Sequence, residues 1–382
     1  MTRTTIFSEE HDALRRSIRA FVEKELAPHA DEWEAAKDFP DWVFERMGEL
    51  GFLGLHHPEE YGGSGGDYLT MLVREEEMAR CGSGGVSMAV SVQAEYVTPP
   101  IAKFGTPEQK ERYLRPALAG RRIGALGITE PDAGSDVAGI RTAAIRDGDE
   151  YVVNGSKTFI TNGCRADFVL LVAKTDPGER HAGISLFLVD TDSPGFEVRR
   201  RLDKVGMWPS DTAELAFTDM RVPAANLLGE EGKGFHHIMW ELQGERLAAA
   251  AGACAGAQRC IDLTKGYVEE RRAFGQRIAD FQATRHKFAE MQTSVDAARA
   301  LVYETALAVN AGEYPVREIT EAKLLATRVH FEVADTCLQL HGGYGYMMEF
   351  PIQRAWRDSR LARIGAGADE VMLDYIAKHM GF

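Results

Sequence analysis

Apolar residues recur at helical spacing through the first third of the chain. Leu14, Ile18, Phe21, Val22 and Leu26 share one face among charged neighbours, and Ser8 stands where an N-cap is needed. Residues 40–50 read as a short helix closed by Gly51, and 56–66 (HHPEEYGGSGG) as a flexible loop. Asp67 can cap a helix carrying Leu69, Leu72 and Met78. The apolar segment 86–97 runs into Thr98-Pro99-Pro100, which must break or kink it. Thr106-Pro107-Glu108-Gln109 combines a capping residue, proline at the first helical position and glutamine at the third, a good helix start.

From about residue 123 the texture changes to strands and turns. In YVVNGSKTFI (151–160) an Asn154-Gly155 pair lies between β-prone runs and predicts a hairpin. Further strands are predicted at 168–173, 184–189, 196–198 and 213–217, without the strand–helix–strand alternation of a Rossmann unit. From about 231 helical spacing returns in longer runs, 234–271, 282–311 and 316–341, with shorter helices after Pro351 and Ala368. The predicted fold is multidomain α+β: an N-terminal helical domain (1–122), a middle, mostly antiparallel β domain (123–230) and a C-terminal four-helix bundle (231–382).

Composition narrows the function classes. A net charge of −14 over 382 residues argues against general nucleic-acid binding, though not against a small phosphate-bearing ligand held by a local arginine cluster. The five cysteines show no CxxC spacing, which argues against a disulfide framework or zinc site and fits reduced thiols in the cytoplasm. The N-terminus reads as a helix rather than a signal peptide, and no stretch approaches a membrane span of about 20 apolar residues. Gly62-Gly-Ser-Gly-Gly66 matches the hydrolase nucleophile elbow, but a polar loop precedes it where that motif needs a buried strand. The adjacent pairs His56-His57 and His236-His237 do not put two ligands on one helical face, so no metal site is predicted. There is no G-x-G-x-x-G.

Two stretches carry candidate chemistry. In WELQGERL (240–247), Glu245 and Arg246 precede a run to Ala257 made only of Leu, Ala, Gly and Cys, which a helix can bury on every side. A carboxylate at that edge is either the partner of a nearby arginine or a desolvated general base, and the helix alone leaves both readings open. GITEPDAGSD (127–136) sits where the helical region hands over to the strands; its turn amides, with Thr129 and Ser135, could line a polar ligand.

Together with NGSKTFITNG (154–163), KVGM…SDTAEL (204–215), ERRAFGQRI (270–278), CLQLHGGYGY (337–346) and RIGAGADEV (363–371), this last stretch resembles the acyl-CoA dehydrogenase family of flavoproteins, in order, in spacing and over essentially the whole chain. The resemblance implies an FAD-dependent dehydrogenase of fatty acyl-CoA thioesters in β-oxidation, a homotetramer that passes electrons to an electron-transfer flavoprotein. It implies FAD contacts at Leu126, Ile128, Thr129 and Ser135, with Ser135 also facing the acyl-CoA, and at Phe159 and Thr161 beside the flavin ring. Arg271, Gln282 and the turn containing Gln339, Gly342 and Gly343 match positions at the adenine-dinucleotide end, and Glu370 a flavin-contacting position. Ala368 stands where the family usually has threonine, so only a backbone contact is expected there.

The family's reaction removes the α-proton of the thioester while the β-hydrogen leaves as hydride, which calls for a carboxylate base in a dry pocket and a donor at the carbonyl. Many members carry the base in a Tyr-Glu-Gly-Thr segment; here the matching residues are Gly365-Ala366-Gly367-Ala368 and that glutamate is absent. The branch resembling isovaleryl-CoA and long-chain acyl-CoA dehydrogenases carries it immediately before an arginine on the bundle helix. That position is Glu245, with Arg246 orienting ligand beside it and the Ala366 and Gly367 backbone facing the substrate. A flavin oxidase or monooxygenase on the same scaffold and a non-catalytic acyl-CoA-binding protein are the alternatives.

Overall fold

The computed structural model describes residues 6–382. The N-terminal third holds α1 (Glu9–Phe21), α2 (Ala30–Ala36), α3 (Trp42–Glu49), α4 (Leu69–Met78) and α5 (Gly84–Ser91). Three short helices follow, α6 (Thr98–Phe104), α7 (Pro107–Gln109) and α8 (Arg115–Leu118). Ser8 caps α1 in a capping box with His11, and Thr106 does the same with Gln109 for α7. The chain reaches Pro99 and Pro100 through a π-helical turn, Val92–Val97, which absorbs the ladder bonds that proline cannot make.

The loop at 56–66 is pinned rather than flexible. Ser64 N donates to Gly54 O (2.8 Å), Gly65 N to His57 O (2.9 Å) and Gly66 N to Leu55 O (2.8 Å). A Cβ on Gly63 would lie 2.2 Å from His57 O, so only glycine lets the two segments close. It is a packed turn, not a strand-to-helix elbow.

The middle of the chain forms one sheet from β1 (Gly124–Gly127), β2 (Ala143–Asp147), β3 (Glu150–Thr161), β4 (Phe168–Lys174), β5 (Ile184–Asp190), β6 (Phe196–Arg201), β7 (Thr212–Pro223) and β8 (Leu227–Leu228). Its order is β6-β7-β3-β2-β4-β5-β8, with β1 pairing in parallel on β4 and most other pairs antiparallel. The hairpin expected at Asn154-Gly155 does not form. β3 runs straight through those residues, and the turn lies at Gly148 (φ +63°) between β2 and β3. Neighbours on both flanks, β2 and β7, hold β3 extended, and the Asn-Gly pair becomes a bulge locked by Asn154 Nδ2 to Asp219 Oδ1 (3.1 Å).

Five helices close the chain: α9 (Gly234–Glu270), α10 (Gln282–Asn310), α11 (Val316–His341), α12 (Pro351–Ser359) and α13 (Asp369–His379). The Leu/Ala/Cys face of α9 packs against α4, α10 and α11 in one apolar core. Its small residues allow close approach: a Cβ on Gly256 would stand 2.6 Å from the His330 ring of α11. An N-terminal helical region, a middle sheet and a C-terminal helical bundle are thus present as expected. Among the described residues no helix is long and apolar enough to cross a membrane, and all five cysteines are free thiols.

Candidate active site

α9 is the longest helix and runs through the bundle core, so polar residues on its inner face are buried by their address. Glu245 is 8% exposed, and Glu241, one turn earlier, 2%. Spaced four residues apart, they share a face. Burial pushes the Glu245 carboxyl above the usual carboxylate range, against the opposing pull of Arg246, Lys323 and a hydrogen bond with Glu241. Burial and then the neighbouring Glu245 push Glu241 well up.

Arg246 reaches across to the turn before α13. Its Nε donates to Ala366 O at 3.0 Å. Lys323 of α11 donates Nζ to Gly367 O at 2.6 Å, and burial lowers that lysine to about 8. Ala366 holds φ +56° and Gly367 φ +108°, a left-handed turn that these two cations clamp from below. Glu245, Arg246, Ala366 and Gly367 are therefore brought together, although 120 residues separate Arg246 from Ala366. Ala368 is the extended N-cap of α13 and makes no side-chain cap bond. The first turn of that helix carries Asp369, which accepts from Arg363 (2.6 Å) and Arg328 (3.0 Å), and the exposed Glu370.

A second group gathers at the β1–β3 edge. Leu126 lies half-buried in β1 one residue before its end, and Ile128 and Thr129 follow the strand. Thr158 N donates to Thr129 O (2.9 Å), and the wholly buried Lys157 donates to Ile128 O and Glu130 Oε1, both at 2.8 Å. Two residues on from Lys157, β3 breaks register and Phe159 stands at φ +61° with 68% of its surface exposed. A large apolar ring held out in a disfavoured conformation is a platform for a flat ligand. Thr161 ends the strand beside it, while Ser135 is exposed on the loop after Thr129.

The third group lies at the opposite end of α9. Arg271 is the C-cap of that helix, 26 residues and thus about 39 Å beyond Glu245 along its axis. It lines a cavity of about 530 Å³ with Gln339, Gly342 and Gly343, walled by Tyr267, Tyr344 and Met347. Gly342 takes φ +59°, and a Cβ on either glycine would meet nothing within 4 Å, so the backbone faces open space. Gln282 opens α10 and is exposed, outside the residues lining that cavity.

The models of the acyl-CoA dehydrogenase N-terminal, middle and C-terminal domains match residues 8–121, 125–220 and 232–381. The chain belongs to the acyl-CoA dehydrogenase family. Members are FAD-dependent oxidoreductases acting on CH–CH bonds. The chain is 43% identical to the mitochondrial long-chain specific acyl-CoA dehydrogenase of Mus musculus over 377 residues, 98% of this chain and 87% of that one. The crystal structure of an acyl-CoA dehydrogenase from Geobacillus kaustophilus superposes with a TM-score of 0.96 at 44% identity, over 99% of each chain. A glutaryl-CoA dehydrogenase from Mycobacterium smegmatis, in complex with FADH2, gives 0.92 at 30% identity over 98% of this chain and 95% of that one.

Sequence reasoning missed Glu241, Lys323 and the Lys157–Glu130 pair. Glu241 carried a usable signal, a second carboxylate four residues before Glu245. Lys323 and Lys157 carried none, because their burial depends on elements distant in the chain.

Proposed function

We propose that this protein desaturates a medium, long or branched acyl-CoA thioester to the trans-2-enoyl-CoA, with Glu245 as the base that takes the α-proton. The observation that carries the reading is a buried glutamate, shifted toward neutral, beside the Arg246-bound Ala366 turn. A base whose affinity for protons approaches the operating pH both stays ionised and pulls effectively. Burial keeps water from competing for the α-proton, and the clamped turn presents Ala366 and Gly367 backbone opposite the base. The absence of a side-chain carboxylate at 365–368 leaves that task to α9. The name of the mouse relative favours longer acyl chains, whereas the glutaryl-CoA enzyme shows that the shared fold does not fix the chain.

The residues present fit FAD: an exposed ring at Phe159, hydroxyls at Thr129, Ser135 and Thr161, and an open glycine-floored cavity with an arginine at its rim. Leu126, Ile128, Thr129, Ser135, Phe159, Thr161, Ala368 and Glu370 would hold the flavin side, and Arg271, Gln282, Gln339, Gly342 and Gly343 the adenine-dinucleotide side. Bound FAD supplies the acceptor for the β-hydrogen as hydride. The roughly 39 Å along α9 between Glu245 and Arg271 supports a homotetramer in which one subunit's Arg271 cavity serves a neighbour's flavin. Phe274 (95% exposed), Tyr346 and Met348 near that cavity are apolar surface that such a contact would cover. We place the enzyme in the cytoplasm, with an electron-transfer flavoprotein as its electron acceptor.

Glu245→Gln should leave the protein yellow while lowering substrate-driven flavin bleaching by at least about 10³-fold. Full bleaching in that variant would sink the assignment. Rapid reoxidation of the reduced wild type in air would replace the dehydrogenase reading with an oxidase.

A further inference from the structure

Glu241 has no task in that reaction, yet it is among the most deeply buried acids of α9, and neither of its carboxyl oxygens receives a hydrogen bond from a donor among the described residues. Of the nearby cations, Arg246 gives its Nε to Ala366 O and Lys323 its Nζ to Gly367 O, and neither donates to Glu241. What Glu241 does face is Glu245, within hydrogen-bonding reach on the same helix face. Two carboxylates cannot bond to each other, and two buried like charges repel strongly; one retained proton removes both problems.

We infer that Glu241 is a positioning residue for Glu245: a neutral carboxylic acid whose O–H is donated to the Glu245 carboxylate and aims it at the substrate. The inference rests on the reading of Glu245 as base. Before the reaction the pair holds one proton, on Glu241; after Glu245 takes the α-proton the pair holds two. The charged and titratable surroundings agree with this count. Glu245 and Arg246 face Glu241 from α9, Lys323 of α11 bears on Glu245, and Tyr96 of the Val92–Val97 turn feels both carboxyls together with Glu75 and Glu95. Tyr314 and Tyr375 bear on Arg246. Arg246 draws Glu241 toward ionisation, but burial and the Glu245 charge both outweigh it.

The test compares Glu241→Gln, whose amide still donates, with Glu241→Leu, which cannot, in the FAD-loaded enzyme. Single-turnover flavin reduction by an acyl-CoA that the wild type oxidises is followed from pH 5.5 to 9. E241L should move the acid limb upward by about one unit, a tenfold slower reduction on that limb, with E241Q close to wild type. An unmoved limb in E241L, whatever happens to the plateau, or an equal shift in E241Q, overturns the inference. A second readout needs neither turnover nor the leucine variant. The infrared spectrum of the wild type at pH 7 should contain a protonated-carboxyl band that E241Q lacks, and identical spectra would overturn the proposal. If E245Q bleaches fully the base assignment itself fails; if E245Q is dead and the E241L limb is unmoved, only the role of Glu241 fails.

Discussion

Glu245 and Arg246 are neighbours in the chain, but a helix turns about 100° per residue, so their side chains leave it in different directions. Arg246 reaches the Ala366 carbonyl through Nε, a donor at a fixed angle on a planar group. Lysine keeps the charge that bears on Glu245 and loses that donor. Arg246→Lys therefore isolates the turn from the electrostatics. Losing one hydrogen bond to a charged group is worth about 1.5–3 kcal/mol, and if the turn matters chiefly in the transition state the flavin-reduction rate should drop about 10- to 100-fold. FAD affinity should stay near the wild-type value, since the bond is made to the Ala366 carbonyl rather than to a proposed flavin contact. Stopped-flow reduction with a parallel flavin titration reads both; rates within twofold of wild type would mean that Lys323 holds the turn alone.

At the scale of elements, the proposed flavin platform at Phe159 depends on β3 being stitched to the loop after β1. Lys157 makes that stitch from inside the sheet, where burial lowers it to about 8 against the pull of Glu130, and Glu130 in turn receives Arg141 N (2.6 Å) and Thr142 N (3.0 Å). Lys157→Met leaves a buried carboxylate with no cation, a loss of about 3–5 kcal/mol, and frees the Ile128 carbonyl. Thermal melting should fall accordingly, with weaker flavin retention on gel filtration; a variant that melts with wild type and stays yellow refutes the stitch. Little of this was readable beforehand. The helices were, because apolar runs at helical spacing too long for strands in α9, α10 and α11 leave one structural meaning, and the Ser8 and Thr106 caps are local bonds. The Asn154-Gly155 signal was equally local and misled, since strands on both sides of β3 overrule a turn preference. Glu245, Arg246, Ala366 and Gly367 were named from motifs and do converge, whereas Lys157 and Lys323 look like any surface lysine until distant elements close over them.

For the whole molecule, buried titratable groups of opposite kinds set the dependence of stability on pH. His56 and His330 are lowered by burial to about 4 and His57 to about 3, from an ordinary 6.5. Below pH 6.5 the unfolded chain therefore takes up protons that the folded chain refuses, and stability falls as the pH falls. The raised carboxyls work the other way. Burial and then Asp358 lift Glu34 from 4.5 to about 7, and Glu75, Glu95, Glu241, Glu245 and Asp358 are also raised by burial. Above about pH 4.5 the unfolded chain loses protons that these groups keep when folded, so stability falls as the pH rises through their window. The two sets oppose each other between about 4.5 and 6.5; above that the carboxyls act until Lys157, Lys204 and Lys323, lowered by burial to about 8, begin to oppose them, and below it the histidines act. Maximum stability should thus lie on the acid side of neutral, overlapping the pI of 5.3, where lack of net charge favours association. Denaturant titrations from pH 4 to 8, at low protein concentration, would locate it. Glu34 supplies the internal control, being remote in sequence from α9 and half-matched by Arg357 at 3.6 Å. Its shift corresponds to about 3 kcal/mol of destabilisation above pH 7, so Glu34→Gln should gain on wild type by about 1–3 kcal/mol between pH 5 and 8 once the lost Arg357 contact is deducted. A stability difference between E34Q and wild type that stays constant with pH, or shrinks toward pH 8, would contradict a carboxyl held protonated in the fold.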